Sequence, residues 1–368
     1  MTVSALRDER LGRLQQLMIE AGVDLVAIAP TANMRYLLGF MPHPDERLCA
    51  LLVGQASSRF VVPELNADQV EAKTGLKVIR WSDAEGPMQA VEQAVSGLEL
   101  KEVGQLAADD TMRAAALLEL QGVIQPLKSL AAGALMTKLR IRKSDHEIEL
   151  LARAAAVADD ALLVGAGVCQ PGVSERQVAA SIETYLRQQG AEAVDFIAVA
   201  SGPNGAFPHH EYGDRILQEG DAITLDLGAT FEGYKSDVSR VVHLGEPTAE
   251  FAAAFEAVLE ANRRGRQAAI AGALARDVDQ AARSWLEQAG YGPFFIHRTG
   301  HGLGMEIHEA PWITAESDTR LEPGMVFSVE PGVYLPGKFG IRIEDIVVVT
   351  GGESRCLTGL DHALIVNS

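Results

Sequence analysis

The sequence predicts a protein in which a smaller α/β domain over residues 1–130 precedes an α+β domain over residues 131–368 built on a curved antiparallel sheet. Three observations carry that prediction. A chain of 368 residues exceeds what one hydrophobic core usually organises. Short apolar runs alternate with polar or helical segments before residue 130, and beyond it the apolar runs lengthen and are mostly joined by short turns. Between the two regimes, Gln125 to Gly133 (QPLKSLAAG) loses any pattern, and a long helical segment follows.

The elements can be justified in order. Leu6, Leu11, Leu14, Leu17 and Met18 recur at helical spacing between Ala5 and Ala21, with Gly22 placed to end the helix. Strands are expected at Asp24 to Ala29, Leu48 to Val53, Arg59 to Val62 and Lys77 to Ile79. Past the boundary, Ser144 followed three residues later by Glu147 is a capping box opening a long helix. Helical segments are expected at 175–189 and 249–289, and strands at ITLDLGAT, VSRVVHLG, MVFSVEPGVY and GIRIEDIVVVT.

Composition removes several function classes. Fifty acidic against thirty-two basic residues give a formal charge of −18, which repels phosphate backbones and anionic lipid headgroups, so neither nucleic acid nor a membrane is an expected partner. Cys49, Cys169 and Cys356 lie far apart with no CxxC spacing, which argues against a disulfide framework or a thiolate zinc site and fits a reducing cytoplasm. Arg7, Asp8, Glu9, Arg10 and Arg13 interrupt any signal-peptide core, and no uncharged apolar stretch reaches the roughly 18 residues of a membrane span.

The chemistry sits in the second domain. Asp226 and Asp237 flank a turn containing Phe231, Glu232 and Gly233. In a hairpin symmetric about that turn they face each other directly, with Cβ atoms roughly 5 Å apart. Two carboxylates so close need a shared proton or a cation. For an isolated pair the ordinary reading is two solvent-facing turn residues. Glu330, ending the apolar run VFSVE, and Glu344, on one strand face with Arg342 while Ile341 and Ile343 take the other, add acids to hydrophobic strands, where they need partners. TGHGLGMEIHEAP then brings His301 and His308 on a glycine-rich segment. Asp226, Asp237, His301, Glu330 and Glu344 together carry about four negative charges, enough to neutralise two divalent cations. An oxygen-rich set with one nitrogen and no thiolate suits Mn2+, Co2+ or Fe2+ at least as well as Zn2+.

These motifs together (Asp226 to Asp237, GHGLGMEIHEAP, VEPGVY and IRIED) resemble the pita-bread metallopeptidases, specifically prolidases and Xaa-Pro aminopeptidases. The first domain is similar to the creatinase-type N-terminal domain of that group, most visibly at NMRYLLGF. The resemblance implies that Asp226 holds one metal, His301 and Glu330 the other, and Asp237 and Glu344 both. It implies that Glu330 doubles as a proton carrier, and that His209 (rather than His210) and His308 act on the substrate outside the metal shell, with His297 nearby. Arg342 either orients a ligand carboxylate or meets the substrate. Hydrolysis of Xaa-Pro dipeptides, with Arg298 or Arg35 as the cation for the free carboxylate, is the expected function; a surface or inter-domain ion pair is the ordinary alternative for either arginine. An Xaa-Pro aminopeptidase acting on longer peptides, and a non-catalytic binding module on the same fold, are the competing readings. A homodimer is implied by the resemblance alone.

Overall fold

Helix α1 (Val3–Ala21) buries Leu14 and Met18 and leaves Arg13 and Glu20 exposed, the one-sided pattern that the leucine spacing requires. The structure, a computed structural model, describes residues 3–100 and 102–367 and divides into two units, Met1–Arg140 and Ile141–Ser368.

In the first unit, strands β1 (Leu25–Ile28), β2 (Ala50–Gly54), β3 (Ser58–Pro63), β4 (Val78–Trp81), β5 (Gln105–Ala108) and β6 (Lys128–Ala131) form one mixed sheet in the order β4-β3-β2-β1-β5-β6. Helices α2 (Ala32–Leu38), α3 (Glu64–Thr74), α4 (Met88–Gly97), α5 (Ala114–Ile124) and α6 (Gly133–Arg140) connect or follow the strands. Strand β1 is buried throughout, as an uninterrupted apolar run in an inner strand should be. Strand β6 occupies the stretch whose pattern loosens in the sequence. It is an edge strand with mostly exposed side chains, so no apolar alternation marks it. Helix α6 follows the expected boundary at residue 130 yet lies with the first unit: Leu139 accepts a 3.0 Å hydrogen bond from the Tyr36 hydroxyl, and Arg140 donates to Asn33 at 2.6 Å.

The second unit begins on α7 (Asp145–Val168), where Ser144 and Glu147 close the expected capping box. Helix α8 (Glu175–Gln188) is capped the same way by Ser174 and Gln177. The helical stretch near 249–289 is two helices, α9 (Ala249–Ala268) and α10 (Ala275–Gln288), because Gly272 at φ +90° turns the chain between them.

Among the described residues, twelve strands complete the unit: β7 (Ala193–Ser201), β8 (Ala222–Phe231), β9 (Tyr234–Lys235), β10 (Val238–Leu244), β11 (Gly300–Gly302), β12 (Glu309–Ile313), β13 (Val326–Val329), β14 (Gly332–Leu335), β15 (Phe339–Arg342), β16 (Asp345–Val348), β17 (Arg355–Cys356) and β18 (Ile365–Asn367). They form predominantly antiparallel sheets, one ordered β18-β10-β8-β7 with β9 on β8, one ordered β12-β11-β13-β16-β17, and the pair β14-β15. An isolated bridge between Ser239 and Glu344 ties the first group to the second. Leu162 and Ile182 of α7 and α8 pack on Leu225 and Val242 of β8 and β10, while Phe251, Val258 and Leu286 of α9 and α10 pack on Ile341 and Ile343. Each such side chain contributes about 1.5–3 kcal/mol when fully buried, which fixes the strands that carry the polar groups described next.

Candidate metal centre

Strands β8 and β10 bring in the first two acids. Glu232 and Gly233 occupy the tip of their hairpin with φ of 49° and 82°, the two-residue turn geometry that matches strand twist. This turn centres the register one residue beyond the position a symmetric reading of the motif assumes. The direct partner of Asp226 is therefore Ser239, not Asp237. Asp237 lies two residues before Ser239, so the aspartates share a face but sit diagonally, which corrects the expected head-on pair.

Two more acids come from strand interruptions. MVFSVEPGVY and GIRIEDIVVVT were expected as single strands, yet each is two: β13 ends at Val329 and β14 starts at Gly332, and β15 ends at Arg342 and β16 starts at Asp345. Pro331 has no N–H to continue a ladder. The interruptions lie side by side, joined by Ile343 N donating to Pro331 O at 3.4 Å, and Glu344 N crosses to Ser239 O at 3.1 Å. Glu330 and Glu344 occupy these transitions, where the chain passes between sheets. Arg342 and Glu344 nevertheless both line the cavity, while Ile341 and Ile343 enter the core.

His301 arrives on β11, between β12 and β13. A Cβ at Gly300 would collide with the Ser328 carbonyl, so glycine is required for this strand to seat. His301 Nδ1 lies 3.2 Å from Gly302 O, and Nε2 lies 3.2 Å from Glu330 Oε1 and 3.7 Å from Asp237 Oδ2. With the Nδ1 proton directed to the carbonyl, Nε2 is the atom free to bind a cation.

Asp226, Asp237, His301, Glu330 and Glu344 all line one cavity of about 350 Å³. Ligand atoms of Asp237, His301 and Glu344 lie within 4.8 Å of one another. Asp226 is instead engaged by Arg342, and Glu330 by His301. Burial, then the charge of neighbouring carboxylates, raises Asp237 and Glu344 well above the ordinary range; burial also raises Asp226, with Arg342 opposing it. Burial works against a charged Glu330 as well, but the His301 hydrogen bond and the positive charges of His301, His297 and Arg342 hold it down to about 2. His301 is pushed down by burial and raised overall by Glu330 and Asp237. Asp226 Oδ1 and Glu344 Oε1 are buried with no hydrogen-bond partner among the described residues. Orphaned buried carboxylate oxygens beside crowded acids are what a divalent cation would satisfy, so the donor set fits metal.

The cavity also collects His209, His210, His297, His308, Arg298, Tyr334 and Arg342. His210 Nε2 is 3.0 Å from Glu175, whereas His209 has no such carboxylate partner among the described residues. His308 packs edge-on against His301 with ring centroids 4.1 Å apart, and burial, followed by the charges of His301 and Arg298, lowers it to about 4. His297 is lowered by burial and reaches the Tyr334 hydroxyl at 2.9 Å. Arg342 donates to Asp226, to Tyr334 at 2.8 Å and to Pro208 O at 3.3 Å, so it orients a candidate ligand carboxylate. Arg298 also lines the cavity, and Arg35 lies on α2 of the first unit.

Four supporting residues escaped sequence reasoning. Ser328 Oγ donates to Glu330 at 3.0 Å and accepts from His301 N at 3.0 Å. Tyr334 joins Arg342 to His297. Buried Arg240 donates to the carbonyls of Ser239 and Glu344 and to Asp345, holding the crossing backbone. Glu175 accepts from Ser201 N and Oγ, Asn204 and Gly213 N, fastening the segment that carries His209. An arginine inside the apolar run VSRVVHL was the one readable signal among them.

Residues 149–351, more than half of the chain, match the model of metallopeptidase family M24. The chain belongs to metallopeptidase family M24. Residues 10–142 match the creatinase/prolidase N-terminal domain, so this M24 member has the two-domain, pita-bread architecture. It is 38% identical over 353 residues to a probable dipeptidase, PepE, of Mycobacterium tuberculosis, covering 94% of this chain and 93% of that protein. It is 32% identical to the Xaa-Pro dipeptidase of Pyrococcus furiosus, covering 97% and 99%. A crystal structure of recombinant prolidase from Thermococcus sibiricus superposes with a TM-score of 0.93 at 35% identity, covering 98% of this chain and 99% of that one. The M24 assignment makes the protein a metallopeptidase and implies divalent metal ions, for which Asp237, His301 and Glu344 form a candidate site.

Proposed function

We propose that the protein is an Xaa-Pro dipeptidase that hydrolyses the peptide bond preceding proline. It holds two divalent cations, manganese in preference to cobalt, iron or zinc, with Asp226, Asp237, His301, Glu330 and Glu344. The observation that carries the metal assignment is the pair of orphaned buried oxygens, Asp226 Oδ1 and Glu344 Oε1, among acids whose charge the fold alone does not balance. Dipeptide preference is supported by Arg298, a cavity guanidinium with no carboxylate partner among the described residues. Bound cations would supply Lewis-acid polarisation of the scissile carbonyl and a more acidic attacking water.

The remaining work falls to side chains. Glu330 accepts the proton of the attacking water and returns it to the proline nitrogen, which leaves a tertiary amide and has no proton of its own. Ser328 and His301 fix the Glu330 carboxylate in place. His308, neutral near pH 7 because it is lowered to about 4, donates its N–H to the developing oxyanion. His209 contributes a second donor from the cavity lining, and Tyr334 holds His297. The three cysteines are free, which suits a reducing cytoplasm. A homodimer is part of the proposal on family grounds, and light scattering that finds a fully active monomer at micromolar concentration refutes that part.

The test compares kcat/KM for Ala-Pro, its C-terminal amide and Ala-Pro-Ala with manganese added. A dipeptidase prefers the free dipeptide. Equal or higher values for the amide and the tripeptide would instead make the protein an Xaa-Pro aminopeptidase.

A further inference from the structure

We propose that Trp312 is the platform that sets Arg298 as the reader of the substrate's free carboxylate, making Trp312 a determinant of dipeptide preference. This inference rests on the dipeptidase reading above and adds a positioning residue to it.

Two arginines line the cavity, and they are differently committed. Arg342 spends its guanidinium on Asp226, Tyr334 and the Pro208 carbonyl. Arg298 makes no ion pair among the described residues, and its guanidinium carbon lies 4.5 Å from the centroid of the Trp312 ring. A guanidinium held over an aromatic ring spends none of its N–H groups on a carboxylate or carbonyl acceptor, which keeps them for gripping a carboxylate by two parallel bonds.

The pair is also tied to the metal-centre strand. Trp312 on β12 is the register partner of His301 on β11, and Thr299 N, the residue after Arg298, donates to the Ile313 carbonyl, the residue after Trp312, at 3.1 Å. Both members are thus fixed relative to His301. The rigid separation between metal centre and cation then becomes a gauge for the one proline residue that follows the scissile carbonyl. Trp312 is 40% exposed and is not among the residues lining the cavity, so it contacts substrate only through Arg298. In an amide or a tripeptide, the group at this position carries no charge, and a desolvated guanidinium is left without a partner.

The experiment measures kcat/KM for Ala-Pro and for Ala-Pro amide in manganese-loaded wild type, Arg298→Ala, Trp312→Leu and Trp312→Phe. Trp312→Leu keeps apolar bulk without a π face and is expected to lower the dipeptide-to-amide ratio on the order of tenfold, mainly through a higher KM for Ala-Pro. Trp312→Phe is expected to keep most of the ratio. A wild-type ratio in Trp312→Leu beside a collapsed ratio in Arg298→Ala would overturn the platform and leave the Arg298 reading standing. A wild-type ratio in Arg298→Ala would overturn both. Parallel losses on both substrates in Trp312→Leu, or equal loss of the ratio in the leucine and phenylalanine variants, would mark a packing role and overturn the proposal.

Discussion

Replacing Asp237 by asparagine is expected to stabilise the metal-free protein and to destabilise the metal-loaded one. Asp237 is buried, shares a strand face with Asp226 and lies within the cluster that includes Glu344. At a diagonal spacing of roughly 7 Å and an effective dielectric near 20, the Asp226 carboxylate repels it by about 2 kcal/mol, and Glu344, whose ligand atom lies within 4.8 Å, repels it more strongly. Removing the charge relieves that repulsion when no cation is present. With manganese at a hundredfold excess over its dissociation constant, binding stabilises the wild type by about 2.7 kcal/mol, and loss of a ligand removes much of this. For a unit of this size 1 kcal/mol moves the melting temperature by roughly 2–4 °C. The variant should therefore melt several degrees above wild type in chelator and several degrees below it in manganese. Burial and neighbouring acids raise Asp237, Glu344 and Asp226 in the fold, so the metal-free folded state binds more protons than the unfolded one. Its stability falls as pH rises from about 4 through those raised values, and less steeply in the variant. Thermal denaturation with and without manganese across that range is the assay. A variant that melts below wild type in both conditions, or gains as much from manganese as wild type does, refutes the charge argument.

Glu175→Gln should cost about 1–3 kcal/mol at neutral pH, because a buried acceptor of several bonds loses its charge. Hydrogen bonds from Ser201, His210 and Asn204 outweigh burial and hold Glu175 low, so its contribution is present above about pH 4.3 and lost as pH falls through the folded value. Urea melts should show the difference between the two proteins shrinking in acid. Arg240→Met should destabilise by about 1–3 kcal/mol, because buried Asp345 loses its 2.8 Å partner while keeping Arg266 and His362, and the Ser239 and Glu344 carbonyls lose their donor; a loss below about 1 kcal/mol in chemical denaturation would contradict that. His308→Ala should lower kcat on the order of 10²-fold with metal content retained by elemental analysis. Unchanged kcat removes His308 from the reaction.

The sequence foreshadowed much of this molecule where a local rule decides the outcome. Ser144 with Glu147 marked a helix start because the capping box needs only four residues of chain. The five candidate ligands were legible because acids and a histidine inside apolar strands require a partner wherever the strands go. Register was less legible. The offset of Asp226 from Asp237 depends on which two residues take positive φ at the turn, and the motif itself admits more than one choice. The interruptions at Glu330 and Glu344 depend on switching between sheets, a tertiary event, although Pro331 is a partial signal. Strand β6 escaped because an exposed edge has no hydrophobic face to show. The partnerships of Arg240, Tyr334 and Glu175 join residues far apart in the chain, and periodicity says nothing about such meetings.

The two neighbouring interruptions, at Glu330–Pro331 and Ile343–Glu344, place the candidate metal ligands on a seam. Asp226 and Asp237 come from the β8–β10 hairpin, His301 and Glu330 from the β11–β13 side, and Glu344 from the crossing between them. The two cations proposed for these five residues would therefore act as rivets between separately packed layers. Substitutions deep in either layer, far from any ligand, can alter metal affinity by changing how closely the layers meet, and loading with metal should protect the amides of β10, β13 and β16 from hydrogen exchange together rather than one strand at a time.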